Sequence, residues 1–299
     1  MLLRSFGIDG KQGRRYIRAT NLILNSTNKG GMMRCTTIDL LVRLRLIAFL
    51  SLSSLAFGVN AFQPLITEDA DTLGRGCNQF ELSVGQDQEK SDGETIRRLD
   101  IPLVFTRGLT DSLDVYAGAA YARIRPDATG NGKGISNPMV GAKWRFYRNE
   151  ESKTSVALKP EILFPVSALH EEAGLGVGKT SGSLTLALTQ GIGFGEIYVN
   201  AVIGRDRFRN TDIAHDVTYS RFSAAPVWEV TEEWQLALDA GAEIANGGGT
   251  RTYKRYAELA AIYLPSKDLD FSLGFIVATD NQSPCTTTYT PVASMSWRF

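Results

Sequence analysis

The 299-residue chain is 43% apolar and 21% charged, with 32 basic and 32 acidic residues, a composition that suits one large folded domain or two and excludes bulk disorder. The zero net charge hides an asymmetry: residues 1–61 hold nine Lys and Arg against Asp9 and Asp39, which leaves 23 basic and 30 acidic residues beyond them. A phosphate backbone demands clustered Lys and Arg, and no such cluster follows residue 61, so nucleic acid is excluded as a partner.

At the N-terminus, Arg43 and Arg45 precede an apolar run from Leu46 to Phe57, and Val59-Asn60-Ala61 supplies small residues for cleavage near Ala61. This is the pattern of a secretory signal peptide, since about a dozen apolar residues fall short of the ~20 that a spanning helix needs. Residues 1–61 are therefore read as an N-terminal extension and signal peptide, and a start at Met32 or Met33 would give a leader of conventional length. Residues 62–76 follow without strand alternation and carry Glu68, Asp69 and Asp71. They are read as a leader segment that either hangs in the periplasm or folds back as a plug.

From residue 77 the dominant signal has period two. WQLALDAGAEIA puts Trp234, Leu236, Leu238, Ala240, Ala242 and Ile244 on one face and Gln235, Asp239 and Glu243 on the other. DLDFSLGFIVA, EIYVNAVIG and SLDVYAGAAYA alternate in the same way, and no helical period competes after residue 77. Twelve strands are predicted, at 77–87, 95–105, 112–123, 136–148, 154–165, 182–194, 196–208, 217–230, 234–245, 253–264, 268–279 and 286–299. Short turns alternate with longer loops at 88–94, 124–135, 166–181, 209–216, 246–252 and 280–285. That rhythm predicts an all-β protein over residues 77–299, a transmembrane up-and-down antiparallel β-barrel with short periplasmic turns and long extracellular loops.

The aromatic residues give an independent test of this reading. Trp144, Phe146, Trp228, Trp234, Tyr263, Trp297 and Phe299 fall near the short turns, whereas Tyr121, Phe222, Tyr253 and Tyr289 fall near the long loops. Two such belts mark the two interfaces of a bilayer, whereas a soluble barrel keeps its apolar face inside and needs none. The outer face is thus expected to meet outer-membrane lipid.

Two stretches resemble known families. PVASMSWRF, ending at Phe299, resembles the closing strand of bacterial outer-membrane proteins, which implies recognition by the outer-membrane barrel-assembly machinery and a place in the outer membrane of a Gram-negative-type bacterium. QPLITEDADTLGRGCNQFELSVG, through Pro64-Leu65, Thr67, Asp69-Ala70, Thr72, Gly76 and Glu81, is similar to the opening of the MetA-pathway of phenol degradation family, with Glu68 where that family is expected to carry Asp. The resemblance implies a channel or transporter that takes up small, often aromatic or weakly polar, solutes passively. It implies no catalytic residue and no cofactor.

The face opposite the apolar set carries Glu81, Arg98, Asp100, Asp114, Lys143, Arg145, Lys159, Glu161, Glu196, Arg221, Glu229, Asp239, Glu243, Lys254, Glu258, Asp270 and Arg298, the candidates to line the lumen. Either this is the ordinary hydrated, charge-balanced interior of a barrel, or it is a selectivity path. On this reading arginine is tolerated at Asp239 and not at its lipid-facing neighbour Leu238.

Three competing readings are weighed. AGLGVGKTSG, residues 173–182, has Gly178-Lys179-Thr180, but a phosphate loop must open a helix and SLTLALTQG alternates as a strand, so a nucleotide is rejected. Asp212, His215 and Asp216 make a possible acid/base pair for a rim hydrolase, without a partner fixed by a strand. A structural or adhesion barrel is the third alternative. No Cys/His set has metal-ligand spacing, and Cys77 and Cys285 are expected at opposite ends of the barrel as free thiols.

Overall fold

Successive side chains of a strand point to opposite faces, so strict apolar/polar alternation is satisfied by a sheet with one oily and one wet side. A computed structural model of the protein describes residues 65–91, 94–126, 132–210, 214–282 and 285–299. The signal peptide and cleavage near Ala61 assigned to residues 1–61 lie outside the described residues.

The wall consists of β1 (Asn78–Ser91), β2 (Glu94–Thr110), β3 (Leu113–Pro126), β5 (Met139–Asn149), β6 (Thr154–Leu163), β7 (Ser181–Ile192), β8 (Gly195–Asp206), β9 (Val217–Glu229), β10 (Trp234–Gly247), β11 (Thr250–Ser266), β12 (Leu269–Asp280) and β13 (Thr287–Arg298). Each pairs antiparallel with the next, and β1 closes on β13 from Gln79↔Arg298 to Lys90↔Thr287. Closure leaves no strand edge, which lipid would not tolerate because nothing there can satisfy unpaired N–H and C=O groups.

Four expectations about detail change. The fourth barrel strand is broken at Pro138: β4 (Gly132–Ile135) pairs with the far half of β3 while β5 pairs with the near half, so part of the expected loop 124–135 is sheet. The expected loops 88–94 and 246–252 are largely strand, paired as far as Ser91↔Glu94 and Gly247↔Thr250, because β1, β2, β10 and β11 continue beyond the length a bilayer requires. Gly248 and Gly249 close the second hairpin with φ of 56° and 77°, values that a two-residue turn needs and that glycine adopts without strain. One short helix, α1 (Ala168–Glu172), occupies the loop after β6, with Ser167 capping it through the His170 N–H. Five residues are too few to show a helical period in the sequence.

Polarity is inverted relative to a soluble protein. Leu259 is 68% exposed on the outside, and Asp239, inside, is 0% exposed. Trp144, Phe146, Phe194, Trp234, Trp297 and Phe299 stand exposed at the turn end, where Trp144 meets Phe146, Phe194 meets Trp228, Trp234 meets Tyr263 and Trp297 meets Phe299 at centroid distances of 5.6, 5.8, 4.8 and 4.6 Å. Tyr121, Phe222 and Tyr253 are exposed toward the loop end, and Phe275 meets Tyr289 at 6.5 Å. Cys77 and Cys285 are free and exposed, one beside the Asn78–Phe299 closure and the other before the opposite end of β13.

Candidate functional site: the lumen and the segment across it

Residues 65–76 have no strand partner, so their backbone N–H groups must find acceptors elsewhere. They find them on the inner wall. Ile66 N donates to Glu258 Oε2 at 3.3 Å, Thr67 N and Oγ1 to the two oxygens of Asp239 at 2.7 Å each, and Glu68 N to Asn200 Oδ1 at 2.8 Å. Ala70 N donates to Thr189 Oγ1 at 2.8 Å and Leu73 N to Asp114 Oδ2 at 2.9 Å. Those acceptors sit on β11, β10, β8, β7 and β3, so the segment is a strap laid across the strands and around most of the wall. It ends on β2 at the turn end, where Gly76 N bonds Gly108 O at 2.9 Å before the chain enters β1.

Charge pairing follows the same path. Lys159 Nζ meets Glu68 Oε1 at 2.5 Å, Lys143 Nζ meets Asp69 Oδ1 at 3.3 Å, and Arg145 meets Asp71 Oδ1 at 3.1 Å. Each acid of the strap therefore neutralises one cation of the wall, and the Lys159–Glu68 pair is well buried. Leu65 fills an apolar patch made by Tyr198, Ala225, Val227, Ala237 and Ala260, and Ala70 lies against Ala157 and Ala187, whose small side chains allow close approach.

The remaining lumen candidates fall into distinct settings. Tyr116 donates to Glu161 and Tyr198 to Glu196, both at 3.0 Å. Arg98 forks onto Asp100 at 2.6 and 2.9 Å and donates to the Gly174 carbonyl at 2.9 Å. Arg298 meets Asp270 at 2.7 Å and Gln79 at 2.9 Å. Arg221, Glu243 and Lys254 form a buried row across β9, β10 and β11, with Glu243 opposite both cations in register. Glu81 is buried with neither carboxylate oxygen partnered. Glu229 ends β9 and is exposed, outside the packed interior.

Sequence reading missed the wall's neutral partners, Thr189 and Asn200, and its inward tyrosines. Tyr116, Tyr219 and Tyr256 stand directly opposite Gly141, Gly204 and Gly241 on the neighbouring strands, and each ring covers its glycine where a Cβ would collide. The signal was a glycine in register with a tyrosine, which becomes visible only once strands are paired.

At the loop end, residues 164–180 are tied to the wall, with Arg98 of β2 donating to Gly174 O and Ser136 to Leu175 O. Glu171 Oε1 accepts from Arg209 N at 2.6 Å, Asn137 bonds Phe164 O and both backbone groups of Val177, and Val177 packs with Phe208 and Ala214. Gly178 lies against the Glu171 carboxylate, where a bound phosphate would meet like charge, and the run passes into β7. His215 is exposed beside Gly248. Asp216 accepts from Phe208 N and Arg205, both at 3.0 Å; burial pushes its carboxyl up, but these two donors outweigh that and hold it below the usual range. Asp212 lies outside the described residues. Among those residues no group of His, Cys, Asp and Glu is arranged to hold a metal.

A closed antiparallel wall with an apolar, aromatic-belted exterior and a charged interior defines an outer-membrane β-barrel. The chain belongs to the family described as MetA-pathway of phenol degradation, whose model matches residues 61–290. In structure it is similar to an outer membrane channel from Pseudomonas putida F1, with a TM-score of 0.60 at 13% identity over 77% of this chain and 98% of that one. It is less similar to the beta domain of the Bordetella autotransporter BrkA, with a TM-score of 0.49 at 11% identity over 75% of this chain and 100% of that one. No curated protein matches it in sequence.

Proposed function

We propose that this barrel is a passive outer-membrane channel for small, weakly polar or aromatic compounds, working without nucleotide, metal or catalytic step. The observation that carries this reading is the inverted polarity, in which an oily belt surrounds a polar interior of paired charges. Family membership supports the solute class. The alternation of tight turns and longer connections orients the turn end to the periplasm. The seventeen charged positions named from the sequence, Glu229 excepted, act as the selectivity wall, and the strap acts as the plug that narrows it. The exposed terminal Phe299, closing β13 on Asn78, is the element offered to the barrel-assembly machinery.

The deciding experiment is passage through the mature chain in liposomes with a lipopolysaccharide outer leaflet, comparing phenol-like solutes, sugars and ions with Arg98→Ala/Asp100→Ala. The channel passes phenol-like solutes faster than protein-free liposomes, and the double variant changes the preference. Passage no faster than without protein favours a structural barrel. Cleavage of a lipid or peptide that His215→Ala abolishes favours a hydrolase.

A further inference from the structure

The outer face changes character beyond the loop-end belt. Outward positions recur at every second residue of a strand, so each strand can be followed from the oily band toward the loops. On β2 the outward set runs Leu103, Ile101, Leu99 and then Arg97; on β3 it runs Tyr121, Arg123, Arg125; on β4 it runs Ile135 and then Lys133. Tyr121 and Ile135 are directly opposite each other and 38 and 50% exposed, which places them in the belt. The cations begin one outward step beyond it, at the height where a bilayer carries its charged headgroups.

These cations face one another. Arg97 is directly opposite Arg125 across β2 and β3, and Arg123 is directly opposite Lys133 across β3 and β4. Side chains in such pairs are close neighbours, and like charges placed there destabilise a sheet. Arg97, Arg125 and Lys133 are exposed, whereas the Nε of Arg123 is buried and donates to nothing. Among the described residues, no carboxylate lies within ion-pair distance of any of the four. Elsewhere on the same rim Arg205 and Arg207 share Asp216, at 3.0 and 3.8 Å. The turns at the other end of the barrel have the opposite sign, with Asp111, Glu150, Glu151, Glu232, Glu233 and Asp268 exposed against Lys153 and Lys267. A surface that only met water would mix both signs, so the unneutralised quartet marks where an external anion belongs.

We infer that Arg97, Arg123, Arg125 and Lys133 form a docking site on the outer face of the barrel for a phosphorylated glycolipid of the outer leaflet. A guanidinium fork matches phosphate oxygens two at a time, and two adjacent rows of cations present such forks on one flat patch of sheet. A phosphate between the rows neutralises the facing charges and gives the Arg123 Nε an acceptor. Below the cations, Ile101, Leu103, Tyr121 and Ile135 offer the acyl chains an apolar surface. A free anion gains nothing from that surface, which selects the lipid as the source of the phosphate. The inference rests on the orientation in which the turn end faces the periplasm.

The test is binding of fluorescent lipid A to the folded full-length protein in neutral detergent, with folding checked by unheated gel mobility. Lipid A carrying its phosphates binds, dephosphorylated lipid A binds about tenfold less well, and inorganic phosphate at the same concentration does not displace it. Arg123→Gln/Arg125→Gln weakens lipid A about tenfold or more, while Arg205→Gln/Arg207→Gln, which removes arginines that already share an acid, weakens it less than about twofold. Should the first variant fail to fold, Arg97→Gln/Lys133→Gln removes the other member of each facing pair. Absence of lipid A binding, full affinity in the quartet variant, or equal loss in both double variants overturns the site. Equal binding of dephosphorylated lipid A, or displacement by inorganic phosphate, overturns the phosphorylated lipid as its occupant. Orientation is read separately with a membrane-impermeant maleimide on intact cells, which labels Cys285 and not Cys77. The reverse labelling puts the quartet in the inner leaflet and overturns the proposal together with the orientation, whereas loss of the site with Cys285 labelled leaves the orientation standing.

Discussion

The two arcs of the inner wall differ in how completely they are filled. From β3 to β11, Asp114, Asp239 and Glu258 each accept a backbone N–H of the strap, and Lys143, Arg145 and Lys159 each hold one of its acids. There the glycines Gly141, Gly204 and Gly241 lie under tyrosine rings. From β13 to β2, Glu81 has no partner on either oxygen and Gly85 has room for a side chain. A twelve-strand wall encloses more width than side chains alone fill, so the chain fills one side with its own leader, which meets the other side at Gly108 on β2.

Removing the strap should erase the difference between the arcs. Deletion of residues 62–74 is expected to raise single-channel conductance several-fold, and unchanged conductance would show that the strap does not narrow the path. Next in size is Asp239→Arg. The alternation alone places Asp239 on a tolerant wet face, but Asp239 holds Thr67 twice and accepts from the Tyr256 hydroxyl at 2.9 Å. Arginine there releases the strap and buries an uncompensated cation, for a loss of about 3–5 kcal/mol in urea unfolding followed by gel mobility. Leu238→Arg places a cation in lipid and should lose ~2–4 kcal/mol by the same measurement. Arginine accepted without loss at Leu238 would break the inside/outside assignment.

Smaller effects separate the arcs directly. Gly141→Ala drives a methyl into Tyr116 and to 2.7 Å from the Pro160 carbonyl, and overpacking of that kind costs about 1–3 kcal/mol. Gly85→Ala meets only ordinary contacts and should change stability by no more than about 0.5 kcal/mol. If the two alanines unfold at the same urea concentration, the arcs are equally packed and the comparison fails.

Much of the architecture was legible because a barrel in lipid obeys rules that act one strand at a time. Leu236, Leu238, Phe271 and Leu273 must face out, Asp239 and Asp270 must face in, and the tryptophans must gather at an interface whatever the partners are. Hairpin lengths were less legible, since Gly248-Gly249 reads as part of a long loop until the flanking strands are seen to continue past the membrane. The lumen was legible only as a list.

The sequence by itself determined the wall: its strand number, its two faces, its aromatic belts and the free thiols at its two ends, because each follows from local alternation and the thickness of a bilayer. Tertiary structure alone decided which inward charges are partners and which are left over. Thr67 is 172 residues from Asp239 and Glu68 is 91 from Lys159, so no local pattern encodes those contacts. They exist because closing β1 on β13 creates an interior whose buried donors and acceptors must be satisfied, and the nearest chain with free N–H groups and acids is the segment that precedes β1.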